Sequence, residues 1–535
     1  MPDITTLIET VATPVLAAHA RTVTEMRTEV IPARALRVLI VASEAPPVHG
    51  GVARFVQVLR DGLMARGHEV DLVSYPEIPR VTLGEVRLSG LLFKLRTLSR
   101  RLDQYDLIHL HGVAPTFSEV FLGYLRMRRV CPPLIYTHHF DMDLRPAGPV
   151  NTLYNWMHNR LVEGAAAVVT TSHDYAARFA DRANTLTIEP GMNAARFIEG
   201  GARTGPFTVL FVGQFRGYKG VRVLMQAMTK VAGARLIVAG RGPEEAAYRA
   251  LAATLGIAVE FHVSPSDAEV DALFQQAQVI VLPSVSRLEA FGIVLLEGMA
   301  AGCVPVASNL PGVREVVGRI GFTFPAGRSD RLAAVLRRLR DDPALVAQIG
   351  VRARERAAGY TWERFLNRYE RLYQNVVAAE ELRHAPSIPD NPTAALHAFI
   401  GHVVRAFGAS QAHILCVDAH GAFCSVAGAD MEGQWASVLP AHEVIAQYSY
   451  TAGEAVRIAP DHIPQPLVAQ RVLNHSLLCT PIGAAAHPSG VLLVTRAEPF
   501  DGRDLDDLMY LARQGAPALL QRVQSTPQTR GEQTR

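Results

Sequence analysis

Two glutamates, Glu289 and Glu297, stand in the otherwise almost apolar segment RLEAFGIVLLEGMAAG, residues 287–302. The apolar run predicts a buried helix that begins after Glu289 and contains Glu297. The first backbone N–H groups of a helix lack acceptors within the helix, and with the helix dipole they attract anions. The N–H groups around Phe291, Gly292 and Ile293 therefore predict a site suited to a diphosphate.

The two carboxylates can bind hydroxyl groups on either side of such a diphosphate. Glu289 can reach sugar hydroxyls just ahead of the helix. Glu297 lies roughly 9 Å further along by helical rise and can accept hydrogen bonds from a ribose. The alternative is that both are surface glutamates of an amphipathic helix, and the spacing alone leaves both interpretations open.

Further candidates follow predicted strands. Lys219, in VGQFRGYKG after the strand TVLFVG, can offset charge that grows on a leaving nucleoside diphosphate. Gly50 and Gly51 follow the strand RVLIVAS, and glycine lets the backbone approach a phosphate closely. A tight turn is the alternative role for these glycines. His139 ends the strand PLIYTHH, with His138 as the neighbour that could be confused with it.

Short β-branched runs alternate with amphipathic runs from residue 36 onwards, which predicts βαβ units and parallel sheets. The alternation pauses in a glycine-rich gap near 200–205 and then restarts. We therefore expect an N-terminal helical extension (1–35), two doubly wound domains (36–195 and 206–359) and a closing helix (360–378). Ligands of such sheets bind beyond the carboxyl ends of the strands, so a cleft between the two domains is the expected site.

A different pattern follows a proline-rich linker at 379–392. AHILCVD, AFCSVAG, SLLCTPI and GVLLVTR are short strand-like runs without crossover helices between them. Helices predicted at 393–407 and 503–523 flank them, so residues 393–524 predict an α+β domain with an antiparallel sheet. The polar tail 525–535 is expected to be disordered.

Composition excludes several classes of protein. The chain has 535 residues, enough for about three domains. The formal net charge of +3 gives no indication of nucleic-acid binding. The five cysteines include no CxxC pair, so neither a disulfide framework nor a zinc site is indicated, and a cytoplasmic setting fits best. No apolar run reaches the ~18–20 residues of a membrane span, and the N-terminus lacks the basic region of a secretory signal.

The stretch LPSVSRLEAFGIVLLEGMAAGCVPVASNLPGVREVV (282–317) resembles the donor site of family-4 retaining glycosyltransferases of the GT-B fold. The resemblance spans about residues 36–378 and includes further motifs in the family's order: PPVHGG (46–51), RGHEV (66–70), THH (137–139), VGQFRGYKG (212–220), AGRGP (239–243) and YTWERF. It implies two Rossmann-like domains facing a cleft, the first for the acceptor and the second for a nucleoside-diphosphate sugar.

The resemblance also implies roles for the candidate residues. His139 aligns with the family's histidine beside the reactive carbon of the sugar, where it could orient a hydroxyl or offer its backbone carbonyl. Catalytic roles are implied for His139, Glu289 and Lys219, and substrate binding for Gly50, Gly51, Arg216, Phe291, Gly292, Ile293 and Glu297. The family usually has arginine directly after the first glycine of VGQFRGYKG, where this sequence has Gln214. Arg216, two places later, is the candidate to replace it.

No metal ion and no cofactor is expected. Asp141 and Asp143 form a DMD triplet like the metal-binding motif of the other large glycosyltransferase fold, but GT-B enzymes hold the diphosphate with cations and a helix end. The basic stretches 94–102 and 124–130 are read either as surfaces for anionic lipid or as solvated helix faces.

The C-terminal segment 476–519 resembles part of a GAF domain. Asn474-His475 and Phe500 with Asp504-Leu505 match the cyclic-nucleotide pattern only in part, so a cyclic nucleotide is not implied. GAF domains bind small ligands or dimerise, and the resemblance therefore allows a homodimer through this domain.

The sequence thus predicts a metal-independent retaining glycosyltransferase of hexosyl type that moves a sugar from a nucleoside-diphosphate sugar to a hydroxyl of a glycan, glycolipid or small molecule. The expected location is the cytoplasm, with peripheral contact at the inner membrane face allowed. The alternative is a non-catalytic sensor that binds a nucleotide sugar and signals through the GAF-like domain. A chain ending near Glu380 is expected to fold and to bind the donor.

Overall fold

The computed structural model describes residues 35–514, except for these internal segments: 47–49, 75–79, 84–85, 90–97, 99, 115, 129–130, 142–147, 180–181, 183, 194–202, 204, 385–391, 418–422, 431–444, 447–448, 453–454, 459–475 and 485–486. The predicted N-terminal extension before residue 35, the tail 525–535, Asp143, Asn474 and His475 lie outside the described residues.

Packing divides the chain into two compact units. The larger unit comprises Ala35–Ala180 and Thr187–Tyr369, and the smaller contains the described residues of Asp181–Leu186 and Glu370–Arg535. Two six-stranded sheets belong to the larger unit, apart from residues 185–186 of one edge strand, and a five-stranded sheet belongs to the smaller unit. None of the described helices is both long and apolar enough to cross a bilayer.

The first half of the larger unit is built on a sheet of strand order β2-β1-β5-β6-β7-β8. Its strands are β1 Arg37–Ala42, β2 Glu69–Ser74, β5 Leu107–Gly112, β6 Leu134–His138, β7 Ala167–Thr170 and β8 Thr185–Thr187, with a separate hairpin of β3 Arg80–Leu83 and β4 Val86–Ser89. Its helices are α1 Gly51–Ala65, α2 Ser118–Met127, α3 Gly148–Val162 and α4 His173–Ala176, with 3₁₀ turns at Leu102–Gln104 and Ala177–Phe179.

The second half has the strand order β11-β10-β9-β12-β13-β14. Its strands are β9 Thr208–Val212, β10 Arg235–Gly240, β11 Val259–Val263, β12 Val279–Leu282, β13 Val304–Ser308 and β14 Phe322–Phe324. Its helices are α5 Val221–Met228, α6 Glu245–Leu255, α7 Asp267–Gln276, α8 Ile293–Ala300, α9 Val313–Val317, α10 Ser329–Asp341, α11 Pro343–Ala358 and α12 Trp362–His384, with a 3₁₀ turn at Gly217–Lys219.

Both faces of the second sheet are buried, as expected of a parallel sheet between two layers of helices. In β9, Leu210 packs into one apolar cluster, whereas Val209 and Phe211 pack into the cluster on the opposite face. The pairings of β9 with β10 and with β12 are parallel. This confirms two parallel α/β sheets and explains why the strands read as continuous apolar runs.

The strand order places a crevice where the predicted site residues lie. From β9 the chain adds β10 and β11 on one side and then returns to place β12 on the other side. The loops after β9 and β12 therefore diverge at the carboxyl edge of the sheet, which is the position of ligand sites in doubly wound folds. Lys219 lies in the first of these loops and Glu289 in the second.

Two carboxylates join the halves of the larger unit in a reciprocal way. Asp174, in α4 of the first half, accepts hydrogen bonds from Arg314 Nε at 2.7 Å and from the Gly312 N–H at 3.1 Å, at the start of α9. Glu315, in α9 of the second half, accepts from the N–H groups of His173 (2.8 Å) and Asp174 at the start of α4. Each carboxylate thus satisfies helix N–H groups of the other half.

Helix α12 returns from the second half to pack on the first. The Phe365 ring lies 4.7 Å from the Phe55 ring, and the Tyr369 hydroxyl lies 3.0 Å from Thr137 Oγ1. The sequence predicts a closing helix at 360–378, and in the structure it continues to His384. The first six residues of the predicted linker 379–392 are therefore helical, because Glu380 to His384 continue a helix-favouring run, and 385–391 lie outside the described residues.

The smaller unit contains an antiparallel sheet of order β16-β15-β19-β18-β17. Its strands are β15 Gln411–Val417, β16 Phe423–Asp430, β17 Val456–Ile458, β18 Ser476–Ala484 and β19 His487–Arg496, and its helices are α13 Pro392–Phe407 and α14 Gly502–Gln514. Residues of both helices share one apolar cluster with Ile414, Leu478 and Leu492 of the sheet. An antiparallel sheet with helices on one face is confirmed, and its identity as a GAF domain stays a prediction.

The second part of α12 belongs to this smaller unit. Arg371 Nη1 pairs with Asp504 at 3.1 Å and Asp507 at 3.2 Å, and its guanidinium lies over the Phe407 ring. Asn375 accepts a hydrogen bond from His402. A chain ending at Glu380 therefore keeps Arg371 and Asn375 but removes the partners that these residues have in the full chain.

The smaller unit should lose stability in acid through His413 in β15. This side chain is fully buried, and neither ring nitrogen has a hydrogen-bond partner among the described residues. Burial lowers the pKa of His413 to about 4, below the ~6.5 of an unfolded histidine. Between these values only the unfolded chain binds the proton. Stability is therefore complete above about pH 6.5 and falls toward pH 4, by at most about 1.4 kcal/mol per pH unit for this group.

Thermal unfolding of the full chain measured from pH 7.5 to 4.5 tests this. His413→Leu should flatten the pH dependence of the unfolding temperature, whereas His173→Leu, which replaces an exposed histidine, should leave it as in the wild type. A His413→Leu protein with the wild-type pH dependence would contradict the prediction.

Candidate functional site

A cleft of about 690 Å³ lies between the carboxyl edges of the two parallel sheets within the larger unit. All ten site residues predicted from the sequence line this one cleft: Gly50, Gly51, His139, Arg216, Lys219, Glu289, Phe291, Gly292, Ile293 and Glu297. The fold thus brings together residues that are far apart in the chain. Their roles in binding and catalysis stay predictions.

The loop after β9 and the loop after β12 meet through an ion pair. Lys219 Nζ lies 2.7 Å from Glu289 Oε2, and Ser284 Oγ donates to the same oxygen at 2.8 Å. The Val285 N–H donates to the Tyr218 carbonyl at 2.8 Å. Gly220 permits this approach: it has φ 71°, and a Cβ there would lie 1.9 Å from the Pro283 carbonyl oxygen. The two loops are therefore fixed against each other.

Lys219 is charged in this setting. Burial of the ammonium opposes its charge, but attraction to Glu289, the nearby Tyr218 and the hydrogen bond to Glu289 outweigh burial and raise the pKa of Lys219. Glu289 is itself only 7% exposed. A phosphate entering the cleft therefore meets a preformed cation that still has N–H donors free to rotate toward it.

The N-terminal end of α8 opens into the cleft. Gly292 precedes the helix with φ 89° and ψ 56°, and no side chain caps the first turn. A Cβ at Gly292 would lie 2.7 Å from Leu282 Cδ2, so the turn from β12 into α8 requires glycine both for its conformation and for its space. No side chain caps the N–H groups at Ile293 and Val294, and N–H groups of this kind attract anions, which is compatible with the predicted diphosphate site. Glu297 lies about one turn along the helix, half-buried, on the same cleft.

Arg216 is held by Gln214, the residue that this sequence has where the resembled family usually has arginine. Its Nε donates to Gln214 Oε1 at 3.0 Å, and its carbonyl accepts from the Tyr248 hydroxyl at 3.0 Å. Arg216 is half-buried and lines the cleft. This position is compatible with the prediction that Arg216 supplies the guanidinium missing at residue 214. That role stays a prediction.

The two glycines of the first loop differ. Gly50 has extended backbone (φ 172°), and a Cβ there would lie 3.1 Å from Glu44 Oε2, so the neighbouring carboxylate limits the space. A Cβ at Gly51 would meet no atom within 4 Å. Packing within the protein therefore gives no reason for glycine at residue 51, and close approach of a ligand remains the predicted reason.

His139 and His138 have different surroundings. His139 lines the cleft, packs edge-on against Phe55 at 4.9 Å and places Nε2 3.0 Å from His111 Nδ1. Burial and the adjacent His138 lower the pKa of His139 to about 3, so its ring is neutral at pH 7. His138 instead places Nε2 3.1 Å from Asp141 Oδ1. The choice of His139 over His138 as the cleft residue agrees with these positions.

Asp141 has cationic partners. It pairs with Arg178 and lies 3.6 Å from Arg287 of the second half, in addition to His138. Burial raises its pKa, but the hydrogen bond and charge of His138 and the Arg178 guanidinium outweigh burial and lower the pKa of Asp141. No three His, Cys, Asp or Glu side chains in the described part of the chain are grouped to hold a metal ion. The described partners make Asp141 a link between the halves.

Several cleft residues were not identified from the sequence. The cleft is also lined by Glu44, Phe55, His111, Thr171, Tyr218 and Arg241. For His111, which lies at the end of the strand DLIHLHG, the sequence favours packing or cleft lining rather than chemistry. Thr171 directly follows β7 and Arg241 directly follows β10. The rule that ligands bind at the carboxyl ends of parallel strands could have identified both.

Solved structures share this fold. Sucrose-phosphate synthase from Thermosynechococcus elongatus is similar with a TM-score of 0.54 at 21% identity, covering 64% of this chain and all of that one. A glycosyltransferase from Rickettsia africae is similar with a TM-score of 0.51 at 18% identity, covering 64% of this chain and 99% of that one. These similarities concern the fold, which is that of the GT-B glycosyltransferases.

The sequence comparisons add the class of activity. Residues 49–196 match the model described as Glycosyltransferase Family 4, and residues 194–356 match Glycosyl transferases group 1. Phosphatidyl-myo-inositol mannosyltransferase of Mycolicibacterium smegmatis is 29% identical over 64% of this chain and 95% of its own length. GDP-mannose:cellobiosyl-diphosphopolyprenol alpha-mannosyltransferase of Xanthomonas campestris is 29% identical over 52% of this chain and 77% of its own. Together with the fold, these matches support a GT-B glycosyltransferase that transfers a sugar.

Glu289→Gln should lower the pH at which the cleft stops binding a nucleoside diphosphate. The substitution keeps the side-chain shape but removes the charge that offsets the burial of Lys219, so the pKa of Lys219 should fall. Titration calorimetry with GDP, UDP and ADP from pH 7 to 10.5 measures this. Ser284→Ala, which removes another hydrogen bond to Glu289 without changing its charge, is the control and should keep the wild-type pH profile. Coinciding profiles for wild type and Glu289→Gln would contradict the prediction.

Proposed function

We propose that this protein is a retaining glycosyltransferase that moves a hexose from a nucleoside-diphosphate sugar to an acceptor hydroxyl. The observation that supports it most is the arrangement of Lys219, Glu289 and the uncapped start of α8 around one cleft. A cation and a helix N-terminus on one wall fit a diphosphate. Carboxylates on both sides of them fit the hydroxyls of two sugar rings.

The proposed mechanism is dissociative. As the bond between the sugar and the diphosphate breaks, negative charge grows on the leaving nucleoside diphosphate. Lys219, the N–H groups at the start of α8 and Arg216 stabilise that charge, and they are oriented before the reaction begins. The acceptor hydroxyl then attacks the sugar from the same face and gives its proton to the departing diphosphate. Attack from this face retains the anomeric configuration. This chemistry needs neither a metal ion nor a cofactor.

The two glutamates have separate proposed roles. Glu297, beyond the diphosphate along α8, accepts hydrogen bonds from the ribose. Glu289 receives hydrogen bonds from Lys219 and Ser284 at one oxygen, which supports an oriented and ionised carboxylate beside the transferred sugar. Neutral His139 on the opposite wall positions the sugar near its reactive carbon.

The acceptor is proposed to be a glycolipid or another lipid-linked sugar at the cytoplasmic face of a membrane. The names of the two mannosyltransferase relatives describe lipid-linked acceptors. Helix α3 of the acceptor half exposes Leu153, Trp156 and Met157, with Arg160 beside the Trp156 ring at 5.9 Å. An exposed aromatic and aliphatic stripe next to an arginine fits an anionic lipid surface. The free thiols of Cys131, Cys303, Cys416 and Cys479 support a reducing compartment.

Replacing the two glutamates tests the function and its division of roles. Glu297→Ala should weaken nucleotide-sugar binding, and Glu289→Ala should lower turnover more than binding. Each loses a charged hydrogen bond of roughly 1.5–3 kcal/mol, which is about 10- to 150-fold. A thermal-shift screen of UDP-, GDP- and ADP-sugars first identifies the donor, and donor hydrolysis then measures turnover. Glu355→Ala, at an exposed position of α11, is the control for loss of a surface carboxylate. Wild-type kinetics in both cleft variants would refute the assignment.

Removal of metal ions is the second test. Since Lys219 and the helix end are proposed to stabilise the diphosphate, EDTA should leave the rate of donor hydrolysis almost unchanged. The assay compares EDTA-treated enzyme with the same enzyme after added Mg²⁺ or Mn²⁺. Loss of activity in EDTA that either metal restores would return Asp141 and Asp143 to consideration as metal ligands.

A further inference from the structure

The wall of the cleft that the first half contributes contains two buried polar atoms without partners. Thr171 and His111 are each 1% exposed, and both residues line the cleft. Thr171 Oγ1 and His111 Nε2 have no hydrogen-bond partner among the described residues. Leaving buried polar groups unpaired is unfavourable, and such groups in a cleft point to a ligand that pairs with them.

The neighbours of Thr171 show that its position is unusual. In the run Thr170–Thr171–Ser172, Thr170 Oγ1 donates to the Ser172 carbonyl at 3.0 Å and lies 3.2 Å from Thr187 Oγ1. Ser172 Oγ accepts from the Tyr175 N–H at the start of α4. These two hydroxyls hold the turn after β7 together. The Thr171 hydroxyl between them has no such role among the described residues.

The histidines of β5 show the same contrast. His109 Nε2 lies 2.7 Å from Thr137 Oγ1, within the protein. His111 Nδ1 lies 3.0 Å from His139 Nε2, whereas Nε2 of His111 has no hydrogen-bond partner among the described residues. Burial, His109 and His139 hold the pKa of His111 well below its usual value, so its ring is neutral. A neutral imidazole has one N–H and one lone pair, so Nε2 either donates or accepts according to the tautomer.

The sheet brings these residues next to His139. Gly112 of β5 is in register with His138 of β6, and His138 is in register with Thr170 of β7. His111, His139 and Thr171 therefore stand on three adjacent strands at one carboxyl edge. Lys219 and the start of α8 belong to the other half of the unit. The charged part of a ligand fits that side, and a neutral, hydroxylated part fits this one.

A sugar ring has the chemistry that these atoms require. Each sugar hydroxyl both donates and accepts, so it satisfies a threonine hydroxyl and a neutral imidazole in either tautomer. We propose that Thr171 Oγ1 and His111 Nε2 bind hydroxyl groups of the donor's hexose and hold the ring beside His139. This inference rests on the proposed function and extends it to residues that recognise the sugar rather than the nucleotide.

The test compares binding of a nucleotide sugar with binding of the free nucleotide. Thr171→Val keeps the shape of the side chain and removes the hydroxyl. With whichever pair the wild type binds (GDP-mannose and GDP, UDP-glucose and UDP, or ADP-glucose and ADP), calorimetry should give about 2- to 12-fold weaker binding of the nucleotide sugar. Affinity for the free nucleotide should be unchanged. Thr171→Ser, which restores a hydroxyl, should recover most of the difference.

Thr170→Val is the matched control, because it removes a neighbouring hydroxyl that has partners within the protein. It should lower the unfolding temperature without changing the ratio of the two affinities. If Thr171→Val does not fold, Thr171→Ala replaces it in the same comparison. Equal weakening of both ligands, or no change in either, would overturn the inference. If the wild type binds none of the six ligands, the proposed function itself fails, and this inference fails with it.

Discussion

The ion pair between Lys219 and Glu289 joins the two loops on which the cleft depends. The loops follow β9 and β12, where the order of the sheet reverses and a crevice must open. Gly220 lets them touch, because any side chain there would collide with the Pro283 carbonyl oxygen. The pair keeps a buried ammonium charged without ligand, so a diphosphate meets a site whose charge and geometry already exist. Such preorganisation is the property that stabilises a charged leaving group most effectively.

The two halves of the larger unit are held together by interactions of the same kind. Asp174 and Glu315 each accept backbone N–H groups at the start of a helix in the opposite half. Asp141 adds a contact to Arg287, two residues before Glu289. These links are charged and partly exposed, so they are weaker than a continuous apolar interface. The two walls of the cleft are therefore held in place partly by a few specific charged contacts between the halves.

The walls of the cleft differ in charge. Lys219 and the start of α8 lie on the wall of the second half. The uncharged side chains of His111, His139 and Phe55 lie on the wall of the first half, to which Glu44 adds a carboxylate. Burial keeps the histidines uncharged, so they do not compete with Lys219 for a diphosphate. This distribution is compatible with the proposed donor, whose diphosphate would lie at Lys219 and whose sugar would lie at the histidines.

The sequence alone determined the elements and most of the residues of the site. Continuous apolar runs such as RVLIVAS and TVLFVG indicated parallel strands, and the structure has β1 and β9 at these runs. Strands of three residues, such as β14 and β17, were not predicted because they are too short to show a periodic pattern. Lys219 and Glu289 could be chosen because each is a charged residue in a loop that follows a predicted strand, at the edge of the sheet where ligands bind.

Only the tertiary structure decided which polar groups are paired and which are not. In the sequence Thr170, Thr171 and Ser172 are equivalent hydroxyls, and His109, His111, His138 and His139 are equivalent imidazoles. Their differences depend on partners far along the chain, such as Thr187 for Thr170 and Thr137 for His109. Residue type and local spacing carry no information on such pairings. Whether a hydrogen bond forms depends on a few tenths of an ångström in the distance between two segments, and only the fold sets that distance.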